Sequence, residues 1–79
     1  MEFEINDKSP APSKVQLADQ LRAKIASGEY PERLPSLTEL TERSGLALNT
    51  VQAAVRILKE EGLVYGVKGR GIFVRRRDG

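Results

Sequence analysis

The sequence predicts a small α+β fold, mostly α, with three helices followed by a C-terminal β-hairpin. Apolar residues recur at helical spacing in three segments, and each segment is closed by a glycine: Gly28, Gly45 and Gly62. Beyond Gly62 the apolar period falls from 3.6 to 2, which is the mark of strands. A length of 79 residues leaves room for one domain.

Residues 1–12 read as an arm. Ser9-Pro-Ala-Pro12 cannot propagate a helix, because its two prolines fix φ and remove donors. Phe3 and Ile5 alternate with acids, as in a short edge strand or a segment packed on the domain. The folded unit is expected over residues 13–75. Its first helix starts at Ser13, with Gln16 completing a capping box. Val15, Ala18, Leu21 and Ile25 form the apolar stripe with Leu17 alongside; Gly28 and Pro31 stop the helix.

A second capping box, Ser36 with Glu39, follows Pro35 and opens a short helix that buries Leu37 and Leu40 and ends at Gly45. The third helix runs from about Leu48 to Glu61 and stops at Gly62. It carries Val51, Ala54, Val55 and Leu58 on one face, and Leu46 is placed to staple onto Val51. Leu63–Val67 and Gly71–Arg75 read as strands joined through Lys68-Gly69-Arg70, where glycine permits φ > 0. The expected core is Leu21, Ile25, Leu40, Val51, Val55, Leu58, Leu63 and Phe73. Residues 76–79 read as a frayed tail or the start of a linker.

Composition excludes several chemistries. There is no cysteine and no histidine, so disulfides, thiolate or imidazole metal sites, Cys/His dyads and Ser-His-Asp triads are ruled out. Neither a metal nor a cofactor is expected. Glu60 and Glu61 are adjacent on a helix and diverge, and Gly69-x-Gly71 is too short to cradle a phosphate and leads into a strand. Enzymatic activity is therefore not expected. The acidic start lacks the basic and apolar regions of a signal peptide, and no apolar run approaches the ~20 residues that span a bilayer. A cytoplasmic location and no membrane partner are expected.

The net charge of +2 conceals an asymmetry. Residues 1–44 hold six Lys/Arg against eight Asp/Glu; residues 45–79 hold seven against three. A basic C-terminal half suggests a polyanionic partner. Two short helices around Gly45-Leu-Ala47 form a helix-turn-helix signature. The outer face of the second carries Asn49, Gln52, Ala53 and Arg56, residue types suited to a major groove: amides can pair bidentately with adenine and alanine permits close approach. Arg70, between two glycines at the hairpin tip, suits a narrow minor groove. Together these make a winged helix-turn-helix.

The run Gln16-Leu-Ala-Asp-x-Leu-Arg-x-x-Ile25, Ser27-Gly-x-Tyr-Pro31, Leu34-Pro-Ser36, Leu40, Gly45-Leu46, Asn49-Thr-Val51, Ala54, Leu58-x-x-Glu-Gly-Leu-Val64 and Gly69-x-Gly-x-Phe-Val74 resembles the N-terminal domain of the GntR (gluconate repressor) family over residues 12–75. The opening Phe3-Glu-Ile-x-x-x-Ser-Pro-x-Pro12 is similar to its HutC- and YtrA-type members. The resemblance implies a transcriptional regulator, usually a repressor, that binds short, often palindromic double-stranded operators as a dimer. It places the third helix in the major groove and the wing in the minor groove. Family members carry a C-terminal domain that binds a small effector and dimerises. On this expectation the chain is a domain cut from a longer regulator, with a natural stand-alone domain as the alternative. It would be monomeric in dilute solution, pair on a two-fold site and meet an effector only through that further domain.

The chain departs from the family pattern at three arginine positions. Leu37-Thr38 stands for Glu-Arg, Ala47-Leu48 for Ser-Arg, and Gln52 for Arg. Ala47 gives the third helix no side-chain cap, costing about 1 kcal/mol relative to serine. Each lost phosphate contact should flatten the salt dependence by ~0.9 of a unit of slope.

The expected DNA contacts are Ser36 and Thr38 to a phosphate at the positive end of the second helix, Thr50 and Arg56 to phosphates, Asn49 and Gln52 to bases, and Lys68, Arg70 and Gly71 from the wing. Leu48 either touches a thymine methyl or packs against neighbouring helices. Arg75–Arg77 add non-specific attraction. The rival expectation is a winged-helix protein-interaction module, favoured by the missing arginines and opposed by the basic wing.

Overall fold

The computed structural model describes residues 2–75; the expected tail at 76–79, with Arg76 and Arg77, lies outside the described residues. Helix α1 spans Ser13–Ala26, α2 Leu37–Ser44 and α3 Leu48–Glu60, and β1 (Val64–Val67) pairs antiparallel with β2 (Gly71–Val74). Helices α1 and α2 both pack on α3. Leu17, Leu21, Leu40, Val51 and Leu58 meet at the centre, wholly buried.

The helix ends follow from local chemistry. Gly28 and Gly62 take φ of 86° and 78°, and each closes a double-bonded C-terminal turn. Gly28 and Glu29 donate to the Ile25 and Lys24 carbonyls, and Gly62 and Leu63 donate to those of Lys59 and Leu58. At the start of α2 both halves of the capping box form: Glu39 N–H donates to Ser36 Oγ at 3.1 Å and Ser36 N–H to Glu39 Oε1 at 3.3 Å. Helix α3 has Ala47 as its N-cap, with no side-chain cap, as expected.

The capping box expected on α1 is absent. Pro12, whose side chain has no acceptor, is the N-cap; Ser13 is already inside the helix, and Gln16 is engaged by the arm. Its amide accepts from Asn6 N–H at 2.7 Å and donates to the Asn6 and Ala11 carbonyls, both at 2.8 Å. One turn later Gln20 treats Glu4 likewise, accepting its N–H at 2.9 Å and donating to its carbonyl. Two glutamines at i, i+4 thus pair with alternate residues of an extended segment, taking the place of a neighbouring strand. This seats Phe3 in the core at 2 % exposure, under the Lys24 ammonium.

Glu2 completes the anchor. It accepts from the Tyr30 hydroxyl at 2.8 Å and lies 3.4 Å from Arg43 and 3.6 Å from Lys24. Burial, then the Glu2 carboxylate, push the Tyr30 phenol up to about 12. The Tyr30 bond, followed by the two cations, holds Glu2 below the ordinary carboxylate value of 4.5. Its contribution to stability is therefore complete above that value and disappears as pH falls through the lower folded-state pKa. The melting-temperature gap between the parent and Glu2→Gln should be present at neutral pH and close in that acid window. A gap independent of pH would show that the carboxylate charge is not what holds the arm.

The hairpin differs from expectation in which residues face inward. Register pairs Val64 with Val74, Tyr65 with Phe73, and Gly66 with Ile72. Val64 and Ile72 are buried at 2 % and 8 % exposure. Phe73, expected in the core, is half-buried on the opposite face, stacked on Tyr65 with centroids 5.9 Å apart. Ile72-Phe73-Val74 is apolar at every position, so alternation could not reveal which side turns inward. Ile25 and Leu63, also expected in the core, are partly buried against it. A connection from 32 to 34 adds a third, short pairing: Leu34 N–H donates to Ile72 O at 2.9 Å and Val74 N–H to Glu32 O at 2.8 Å.

Candidate nucleic-acid interface

The exposed side of α3 is defined by what its other side buries. Val51, Ala54, Val55 and Leu58 face the core, leaving Asn49, Gln52 and Arg56 exposed and Thr50 and Ala53 half-exposed. Leu48, at the first position of the helix, is 49 % exposed. Asn49 and Thr50 border a groove with Pro12, Ser13 and Lys14 at the start of α1. Gln52 and Arg56 border another with Leu37, Lys59 and Ile72.

The wing is a tight turn. Arg70 N–H donates to Val67 O at 2.9 Å, and Gly69, the third residue of that turn, has φ of 80°. Gly71 follows at φ of 114°, where only glycine is unstrained. Lys68 and Gly71 share a groove with Ser36 and Thr38 at the start of α2, and Arg70 shares one with Ser36 and Arg33. The tip of the wing, the first turn of α2 and the exposed side of α3 are therefore contiguous. Ser36 Oγ accepts from the Glu39 amide, and its O–H remains free to donate to a ligand. The amides of Leu37 and Thr38 belong to the first turn, which has no intrahelical acceptors.

Ion pairing sharpens the charge asymmetry. Arg22 grips Glu61 through two bonds of 2.8 and 2.6 Å and Asp19 through one of 2.7 Å. The Glu61 bonds foremost, then Asp19, raise the guanidinium pKa above its ordinary value. Lys24 pairs with Glu29 and Glu2, and Arg43 with Glu39 and Glu2. Such exposed pairs contribute little stability, but they neutralise Arg22, Lys24 and Arg43. Arg56, Lys59, Lys68 and Arg70 make no ion pair among the described residues. Arg75 lies over the Tyr65 ring at 5.4 Å, on the outer side of the hairpin.

Sequence reasoning missed Lys59, Ser13 and Lys14 in these grooves. Lys59 had a signal: it extends the series Asn49, Gln52, Arg56 by one turn. Ser13 and Lys14 had none, since only the packing of α1 on α3 sets them beside Asn49. Among the described residues no group of three or more acidic side chains could hold a metal, and no helix is long and apolar enough to cross a membrane.

Three helices, a tight cationic wing and an uncovered third helix define a winged helix-turn-helix domain. Residues 13–74 match the model for bacterial regulatory proteins of the gntR family, and the chain belongs to that family. It is 44 % identical over 72 residues to the HTH-type transcriptional repressor NagR of Bacillus subtilis (strain 168), an alignment covering 89 % of this chain and 30 % of NagR. The chain thus spans under a third of the length of that relative. Among solved structures, YtrA from Sulfolobus acidocaldarius, a GntR-family transcription factor, superposes with a TM-score of 0.86 at 32 % identity over 99 % of this chain and 84 % of YtrA. AraR(DBD) in complex with operator ORX1 superposes with a TM-score of 0.83 at 26 % identity over 95 % and 99 % of the two chains.

Proposed function

We propose that this chain binds double-stranded operator DNA as the reading head of a transcriptional repressor. The observation that carries this is the continuity of the wing, the first turn of α2 and the outer side of α3, with unpaired cations along it. Helix α3 enters the major groove, where Asn49 and Gln52 read bases and Leu48 meets a thymine methyl. Ser36, Thr38, Thr50 and Arg56 hold phosphates, and Lys68, Arg70 and Gly71 bring the wing to the minor groove. Two copies pair on a two-fold site. Support comes from AraR(DBD), seen in complex with an operator, and from NagR, named a repressor.

The test is equilibrium binding to duplexes selected from a random pool, repeated over a range of salt. Affinity should fall linearly on a log–log plot, by ~0.9 of a unit for each phosphate neutralised. Weak binding with no salt dependence would instead favour a protein-interaction module. Arg70→Ala should weaken binding most where the wing meets an A·T-rich segment, whose narrow minor groove has the strongest negative potential. Equal loss on A·T-rich and G·C-rich flanks would remove groove-shape reading from the wing.

A further inference from the structure

Gly66 stands in the middle of β1, and its backbone does not require glycine. Gly28, Gly45, Gly62, Gly69 and Gly71 all have positive φ; Gly66 does not. A glycine inside a strand weakens it relative to alanine and often marks a place where something approaches closely. Here the approaching group is Lys59. A Cβ at Gly66 would lie 3.3 Å from its Nζ and 3.6 Å from its Cε. The lysine arm leaves the end of α3 and crosses β1 at the one described residue there that has no side chain.

This places an ammonium group in the groove bounded by Ser36 and Thr38 on one side and Lys68 and Gly69 on the other. The same residue borders the adjoining groove of Gln52 and Arg56. Among the described residues no carboxylate lies within ion-pair distance of it: Glu61, two positions on, is held by Arg22. An unpaired cation between two further cations, facing the positive end of a helix, calls for an anion from outside.

We infer that Lys59, whose tip lies over Gly66, is a further DNA-binding residue, taking a backbone phosphate on the strand that passes between α3 and the wing. This rests on the DNA-binding reading above. With α3 in one groove and the wing in the next, the intervening strand lies over this position. The contact supplies positive charge near where the chain lacks arginine at Thr38 and Gln52.

The salt dependence of duplex binding tests it, measured for the parent, Lys59→Gln, Lys59→Met and Lys59→Arg, each checked by thermal melting. Lys59→Gln and Lys59→Met should both lower the slope of log affinity against log salt by ~0.9, equally on preferred and unrelated sequences. Lys59→Arg should keep the parent slope. The methionine variant retains the stem over Gly66, so loss of packing alone cannot explain a matching result. An unchanged slope in the two neutral variants, with or without weaker binding, overturns the assignment and leaves DNA binding intact. Absence of salt-dependent binding by the parent overturns both.

Discussion

Replacing Phe3 by alanine is expected to cost about 3–5 kcal/mol, as for other buried aromatics, although Phe3 stands ten residues before the first helix. At ~0.05–0.15 kcal/mol per residue a domain of this size has roughly 4–12 kcal/mol in total. The ring is 2 % exposed among Leu17, Leu21 and other buried residues of one core, and a small core has little margin. At ~4–8 °C per kcal/mol the melting temperature should fall by more than about 12 °C, with Phe3→Leu losing much less.

The arm can also release as a unit, and its docking free energy then sets a ceiling on the loss. Ordering its backbone costs ~1–2 kcal/mol per residue, offset by the Phe3 side chain and by the Gln16 and Gln20 amide pairs. Hydrogen exchange distinguishes the two cases. Cooperative coupling protects the Glu4 and Asn6 amides as strongly as those of α1; independent release leaves them unprotected while the helices stay closed. A melting temperature within a few degrees of the parent would show that the arm is no part of the stabilising core.

Asn49→Ala and Gln52→Ala should each lower affinity for the preferred duplex by about 5- to 150-fold, the equivalent of ~1–3 kcal/mol for a bidentate amide–adenine pair. Binding to unrelated duplexes should hardly change, because that binding rests on phosphates. Selection from random duplexes should show relaxed preference at one base pair per half-site for each variant. The two positions lie one turn apart, so the relaxed base pairs should be neighbours, and the combined loss need not be additive. Both side chains are exposed and make no side-chain hydrogen bond among the described residues, so neither substitution removes a structural contact. An unchanged preference profile would dismiss amide reading and leave Leu48 and the wing as the sources of specificity. Leu48→Ala would then be decisive, since an exposed leucine at the start of a helix gains little from folding and much from a thymine methyl.

Much of this molecule was legible before any coordinates, because it rests on contacts between near neighbours in the chain. The glycines at 28, 45 and 62, the Ser36–Glu39 box and the uncapped Ala47 need only the residues around them. So does the division of α3 into an inner and an outer side. The wing turn followed from Gly69 and Gly71, and the basic second half from counting charges.

Tertiary structure decided whatever depends on distant partners. The N-cap of α1 falls on Pro12 rather than Ser13, and Gln16 binds the arm that carries the buried Phe3. Ile72 rather than Phe73 turns inward because residues 32–34 bond to Ile72 and Val74 and set the sheet against the helices. Arg22, Lys24 and Arg43 count as cations in the sequence, yet in space each is spent on a carboxylate, one of them 39 positions away. Among the described residues, Arg56, Lys59, Lys68 and Arg70 are left unpaired along α3 and the wing, with Lys14 and Arg33 unpaired at the margins of the same grooves. Short-range preferences act within a turn or two of helix, whereas burial and charge pairing act over distances that the order of residues does not reveal.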